Sequence, residues 1–404
     1  MSDMDKLRVR LYNVGFGDAI LVRFPERVAP GKETTRHVLI DLGNLPGAVG
    51  GGDAALAAVV DDVLAELGGA AVDLYVMTHD HLDHVRGLLH AHKELGKTIP
   101  VDYAWLTAPA RPGYYDEARH EVAHKRLQQT RAAHEAIARF LGRAPHAAAA
   151  AAPLAAVASN NDARATERCV SYLRSVAKLK TTYVHRGCDV TATHPFVEAR
   201  LRVWAPEEDT AGYFGSFQPM ALGMGVAGPA GAATRKATAG GAAEGTEGTA
   251  TPPAGVDASA FYGLIEQRAA GVVDNLLAID RSANDTSVVF SLEWRGWTLL
   301  FAGDAELRSW QTMEKQGQLA PVHFLKVSQH GGPNGTPGAK LLERILPATR
   351  PDERRRRAAV STCRDTYHGV PDDEALAALR ARCDEVKTTD GLAGGASIEL
   401  EFDG

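Results

Sequence analysis

The sequence predicts an α/β protein, and three stretches of it carry that expectation. The apolar run Leu74-Tyr75-Val76-Met77 reads as a buried strand that ends at Thr78 and passes into a helix start at Val85, Leu88 and Leu89. Asp53 to Leu67 places Leu56, Val60, Val63, Leu64 and Leu67 on one helical stripe. Ser287 to Trp294 and Trp297 to Ala302 are two apolar strands joined by Arg295-Gly296, a hairpin signal. Strands and amphipathic helices thus recur at both ends of the chain.

At 404 residues the chain has room for one large domain or two ordinary ones. Its net charge of −6 does not advertise a nucleic-acid binder, though a local basic groove would suffice for one. The four cysteines are far apart and form no C-x-x-C pair, so free thiols in a reducing compartment are expected. The charged start, MSDMDKLRVR, lacks an apolar signal core. No stretch approaches the roughly 20 apolar residues of a membrane span. The expectation is a soluble, cytoplasmic protein without a membrane partner.

Taken in order, Leu7 to Phe24 reads as two strands around the turn Gly15-Phe16-Gly17-Asp18, and His37 to Asp41 as a third. In the helix that follows, Asp53 is placed to cap the start and Gly68-Gly69 to stop it. Directly after Met77 come His79, Asp80, His81, Asp83 and His84, five ionisable groups at one strand-to-helix corner. Burying them unpaired would be costly, and a metal ion removes the problem. Imidazole nitrogen with carboxylate oxygen suits Zn²⁺ or Mn²⁺. Val101 to Leu106 is the next strand.

Residues 109–179 read as a helical insertion: a charged helix over Asp116 to Leu141, the alanine tract Ala147 to Ala152, and a helix from Ala163 to Leu179. His120 and His124, four apart, either share a metal-binding helix face or sit on a solvated one. Strands follow at Thr181 to His185 and Ala199 to Trp204. Residues 220–256 are Gly, Ala, Thr and Pro with almost no large apolar side chain, so a flexible loop is expected there. Ala260 to Ile279 reads as a helix. Past the hairpin, Ala305 to Trp310 reads as a helix, Ala359 to Ser361 as a strand, Asp372 to Arg382 as a helix with proline at its first turn, and Val386 to Asp390 and Ala396 to Phe402 as closing segments.

The His-x-His-x-Asp-His pattern, set between strand and helix, resembles the metallo-β-lactamase superfamily. More narrowly, Asn13-Val14-Gly15-Phe16-Gly17-Asp18-Ala19, Trp204-Ala205-Pro206, Asn284-Asp285-Thr286-Ser287 and Phe324-Leu325-Lys326-Val327-Ser328-Gln329-His330-Gly331 resemble the hydrolase domain of ComEC-type DNA-uptake proteins. Tyr367-His368-Gly369-Val370-Pro371 resembles that family's Tyr-Gly-His-Pro with His and Gly transposed.

The resemblance implies a single αββα sandwich over residues 1–404, two mixed sheets face to face with helices outside and two divalent ions at one rim (Zn²⁺ or Mn²⁺, with Mg²⁺ admissible). His79 and His81 would hold the first ion, and Asp83 and His84 the second. Asp304, in a Gly-Asp that ends a strand, would bridge them at roughly 3.5–4 Å separation. His368 or His330 would complete the second site. Asp83 would also orient the attacking water, and His330, where it is not a ligand, would serve the leaving oxygen. Asp18 is either a turn cap or a neighbour of the metals. Many members of the superfamily carry Gly-His-Thr-Pro-Gly-Ser ahead of the bridging strand, and this chain has no histidine there. Asn284 or Asp285 would then be an oxygen ligand or a substrate contact, a pattern unlike glyoxalase II-type thioester hydrolases.

The function implied is a phosphodiesterase or nuclease acting on DNA. The run Arg354 to Arg357 is either a phosphate track or a solvated basic loop. The alternatives are a small-molecule hydrolase (cyclic nucleotide, phosphonate, lactone or lactam) and a subunit regulated by a protein partner.

Overall fold

A computed structural model describes residues 5–45, 52–143, 152–214, 272–350, 352–364 and 369–404. The expected loop at 220–256, His368, Tyr367 and nearly all of the alanine tract lie outside the described residues.

Strand β1 (Lys6–Tyr12) alternates: Leu7, Val9 and Leu11 point inward, while Lys6, Arg8 and Arg10 reach acidic partners such as Glu399 and Glu401. It pairs antiparallel with β2 (Ala19–Ala29), and β2 with β3 (Lys32–Leu42). Helix α1 (Asp53–Leu67) then crosses to β4 (Val72–Met77), which lies parallel to β3. Gly52, not Asp53, takes the N-cap position of α1, and Gly68 in the left-handed region ends it. Strand β4 is buried along its whole length, because Leu74 and Val76 face the second sheet while Tyr75 and Met77 face helices. That is why it reads as an unbroken apolar run instead of an alternating one.

Helix α2 (Leu82–Lys93) leads to β5 (Val101–Thr107). Three helices follow: α3 (Glu121–Arg143), α4 (Ala152–Asn160) and α5 (Ala163–Leu173). The last ends at Leu173, short of the expected Leu179. Its continuation, β6 (Ala177–Val184), pairs parallel with β5 and takes the edge of the sheet. Local helical pattern was overridden there by an open strand edge.

The second sheet is built from β7 (Arg200–Ala205), β8 (Val289–Trp294), β9 (Trp297–Phe301), β10 (Phe324–Lys326), β11 (Arg357–Val360) and β12 (Glu385–Thr388). Its helices are α6 (Val272–Asn284), α7 (Leu307–Lys315), α8 (Ala339–Ile345) and α9 (Asp373–Arg380). Helix α6 runs past Ile279 and through Asn284. Helix α8 has no counterpart in the sequence reading; its seven residues are too few for a clear stripe. Pro371 precedes the N-cap Asp372 of α9 and so stands outside the helix, not in its first turn. Strand β13 (Ser397–Asp403) returns to pair with β1.

The strand orders are β13-β1-β2-β3-β4-β5-β6 and β12-β11-β10-β9-β8-β7, and each sheet mixes parallel and antiparallel pairs. One apolar cluster joins the facing surfaces, from Val9, Val22 and Leu74 on the first sheet to Phe290, Phe301 and Phe324 on the second. A second lies between the first sheet and α1, α2 and α5; a third lies between the second sheet and α7, α8 and α9. The architecture is therefore an α/β sandwich with helices outside two mixed sheets. The four cysteines are free thiols. No helix among the described residues is long and apolar enough to cross a membrane.

Candidate metal centre

The parallel strands β3, β4, β9, β10 and β11 all end at one rim. Asp41 in the last residues of β3, Thr78 to His81 and the first turn of α2 after β4, and Asp304, His330 and Ser361 after β9, β10 and β11 stand at those ends. Loops beyond the carboxyl ends of strands are where α/β sheets gather their chemistry. Two glycines let the backbones close in: a Cβ on Gly17 would stand 2.5 Å from the Asp83 carbonyl oxygen, and one on Gly43 2.5 Å from the Asp83 carbonyl carbon. Asp18 donates its N–H to the Asp83 carbonyl at 3.1 Å, so the β1–β2 turn grips the histidine loop.

Asp41, Gln329 and His330 hold positive φ of 51°, 46° and 52°, a region that disfavours side-chain-bearing residues. Such strain persists where surrounding contacts enforce it. Here it aims His330 at the centre.

Asp83, His84, Asp304 and His330 converge, all buried, with one potential ligand atom from each inside a 4.8 Å span. His84 Nε2 is 3.2 Å from Asp304 Oδ2 and 3.7 Å from Asp83 Oδ2. His330 Nε2 is 3.2 Å from Asp304 Oδ2 and 3.3 Å from Asp83 Oδ2. His79 Nε2 and His81 Nδ1 face each other at 3.0 Å beside this group.

Each of the four imidazoles has its outer nitrogen tied. His79 Nδ1 meets Thr78 Oγ1 at 3.0 Å, and Thr78 spends its hydroxyl proton on Asp41 Oδ2. His81 Nε2 meets Asn161 Oδ1 at 3.0 Å, His84 Nδ1 meets Asp41 Oδ2 at 2.8 Å, and His330 Nδ1 meets the Ser361 carbonyl at 3.0 Å. Outer partners of this kind set tautomer and ring direction for metal-binding histidines. Asp83 Oδ1 and His84 Nε2 are buried without a hydrogen-bond partner. One orphaned imidazole nitrogen and one orphaned carboxylate oxygen, beside His330 and Asp304, fit a divalent cation of the Zn²⁺ or Mn²⁺ kind.

The electrostatics agree. Burial pushes His330 down, but Asp304, Asp83 and Asp18 outweigh it and raise it to about 10. Burial also works against a charged His84, and Asp304, Asp83 and Asp41 raise it nonetheless. Burial would raise Asp83 and Asp304, and His84 and His330 hold both below the usual carboxylate range. Protons on the two imidazoles therefore stand where a cation would. Loading the protein with Zn²⁺ should release protons, because ligands must deprotonate, and affinity should rise with pH as His84 and His330 lose theirs. Calorimetric titrations in two buffers of different ionisation enthalpy should give a proton release of about one to two per ion; no buffer dependence would contradict this arrangement.

A second group, Asp18, Asp41 and His84, lies on the outer side of the same histidine. Within it, Asp18 Oδ1 is buried without a hydrogen-bond partner. The buried Lys326 ammonium bonds Asp18 Oδ2 and lies 3.9 Å from Asp304 Oδ1.

Of the residues singled out in the sequence, His79, His81, Asp83, His84, Asp304, His330 and Asp18 are brought together. His330 stands among the ligand candidates, and His368 lies outside the described residues. Asn284 and Asp285 do not join the group. Asn284 Nδ2 donates to Glu306 Oε1 at 3.0 Å, and Asp285 Oδ1 accepts from Ser309 Oγ at 2.9 Å, because α6 continues through Asn284 and turns Asp285 toward α7. His120 is buried and stacked on Tyr114 at 3.9 Å, while His124 meets Gln128, so the two do not share a solvated face.

The arginine run serves packing at the opposite end of β11. Arg354 lies over Trp297, Arg356 is buried and bonds the Val322 carbonyl, and Arg357 lies over Phe402. It neither tracks a phosphate at the centre nor forms a solvated loop as a unit. Sequence reasoning missed Asp41, Lys326, Asn160, Asn161 and Asp280 as neighbours of the site. Lys326 stands inside the quoted segment Phe324 to Gly331, and Asp41 ends an expected strand; the other three carry no such signal.

A cavity of about 410 Å³ lies beside the centre, under the inserted helices. Asp80 and His81 line it on the metal side; Tyr115, Arg131 and His134 line it on the helical side. No protein-family model matches this chain, and no curated protein matches it. The fold and the site define an α/β sandwich with a buried histidine–carboxylate cluster able to hold metal.

Proposed function

We propose that the protein is a metal-dependent hydrolase of the metallo-β-lactamase fold that cleaves phosphodiester bonds, with DNA as substrate. The observation that carries the metal part is the orientation of four imidazoles, each with its outer nitrogen tied: His84 and His330 turn their inner nitrogens to Asp83 and Asp304, and His79 and His81 turn theirs to each other beside that group. DNA comes from the ComEC-type resemblance of the turn at Asp18 and the segment ending at His330.

His79 and His81 would hold one ion, and Asp83, His84, Asp304 and His330 another. When bound, the ions would acidify water and neutralise charge on the phosphoryl oxygens. Asp41 and Ser361 keep His84 and His330 in the tautomer that presents Nε2 inward. Lys326 holds Asp18 Oδ2 in an ion pair and adds positive charge behind Asp304. Burial of the whole set excludes bulk water from its outer face.

Activity on plasmid and single-stranded DNA should appear in protein stripped with chelator and reloaded with Mn²⁺ or Zn²⁺. His79→Ala and Asp83→Ala should both abolish it. Failure to nick any nucleic acid at any level of either ion would remove the nuclease reading. The cavity favours a second reading, because about 410 Å³ is the size of a small-ligand site. Hydrolysis of a chromogenic ester or phosphodiester with plasmid left intact would select a small-molecule hydrolase instead.

A further inference from the structure

We propose that Asn161, together with Asp280, is the positioning residue of the first metal position, so that the helical insertion is a working part of the centre and not a cover over it. The proposal rests on the metal reading given above. Asn161 follows α4, inside the insertion, and Asp280 lies on α6.

The argument is one of donors and acceptors. Asn161 has two amide hydrogens, and both are spent: Nδ2 donates to the Val157 carbonyl at 2.9 Å and to Asp280 Oδ1 at 2.8 Å. Its Oδ1 can only accept. That oxygen faces His81 Nε2 at 3.0 Å, so Nε2 carries the proton and His81 Nδ1 is bare. Asp280 Oδ1, 3.7 Å from the same Nε2, favours that tautomer as well.

On the other ring, Thr78 Oγ1 has given its proton to Asp41 and accepts from His79 Nδ1, leaving His79 Nε2 bare. Two lone pairs then face each other at 3.0 Å. That arrangement repels unless a proton or a metal ion sits between them. The tautomer that Asn161 favours is the one that leaves His81 Nδ1 free to take a metal ion.

The neighbouring residue supports the seat. Asn160 Oδ1 accepts the backbone N–H of Asp83 at 3.1 Å, tying the end of α4 to the loop that carries the ligands. Asp280 is itself held: Asn284 Nδ2 lies 3.3 Å from Asp280 Oδ2 and also bonds Glu306. Asn284 thus reaches the centre through Asp280, where the sequence suggested direct contact.

Outer partners of ligating histidines change metal affinity by about 10–100-fold when removed. In the full chain, Asn161→Ala should weaken the first ion by about that factor and leave the ion held by Asp83, His84, Asp304 and His330 unchanged. Zn²⁺ titration by calorimetry reads the two affinities. Nitrogen-15 histidine spectra of the metal-free protein read the tautomer directly: Nε2–H at His81 in the wild type, and a mixture in Asn161→Ala. Asp280→Asn, which preserves volume, is the companion variant should Asn161→Ala not fold, and it should shift the His81 signals in the same sense.

A wild-type His81 in the Nδ1–H form overturns the proposal, as do two unchanged Zn²⁺ affinities in both variants while the wild type binds two ions. A wild-type protein that binds no Zn²⁺ at all overturns the metal reading itself. The two failures are therefore distinct.

Discussion

Asp304→Ala is expected to give a folded protein with little bound metal and less than about a thousandth of the wild-type rate, a loss on the order of 4 kcal/mol in transition-state stabilisation. Asp304 Oδ2 lies 3.2 Å from both His84 Nε2 and His330 Nε2, so it brings a carboxylate from the second sheet's side against two of the proposed ligand imidazoles. Its backbone N–H bonds Ser287 Oγ at 3.0 Å, an attachment that does not depend on the side chain, and the strand should stay in place. Without the carboxylate, His84 and His330 lose their principal source of negative charge and should titrate nearer the ordinary histidine range. Elemental analysis of the purified variant, with circular dichroism to verify folding, tests this. A soluble variant with full metal content would show that Asp304 is not a ligand.

Lys326→Met should destabilise the protein by about 3–5 kcal/mol, since it leaves a buried carboxylate without its counter-charge. Lys326 and Asp18 are both 1% exposed, and the lysine joins β10 of one sheet to the β1–β2 turn of the other. Burial works against a charged Lys326, but Asp18 and Asp304 raise it, so the ammonium persists across the ordinary pH range. The double variant Asp18→Asn with Lys326→Met should recover part of the loss, because it removes both charges from the interior. Urea unfolding of the metal-free proteins measures this free of metal linkage. With Asp18→Asn measured as well, a double variant whose loss equals the sum of the two single losses would mean that the pair is not coupled.

The two experiments address different roles of one rim. Asp304 acts toward the proposed metals, and Lys326 acts toward the packing that brings the two sheets' loops together. A variant of the first kind should lose metal before stability, and one of the second kind stability before metal.

The α/β class, most of the strands, α1 and α2, and the side chains that crowd the rim are legible in the amino-acid order alone. Those features are local. Helical and strand periodicities report burial on one face or two, and His79, His81, Asp83 and His84 lie within one strand-to-helix corner whose charges need a partner. Gly303-Asp304 and Gln329-His330 were legible because each ends a strand. The tertiary structure alone decided what holds them. Asn161 meets His81 across 80 positions, Asp18 meets Lys326 across 308, and Asp41 meets His84 across 43. Such contacts depend on which strands neighbour one another and where each ends, and no periodicity records that order. The same reason explains the departures. A free sheet edge drew Ala177–Val184 out of the expected helix, and α6 ran on through Asn284 and turned Asp285 away from the centre. The arginine run carried charge that the sequence could count, and only the stacking of Arg354 and Arg357 on Trp297 and Phe402 showed that it is spent on packing at the far end of β11.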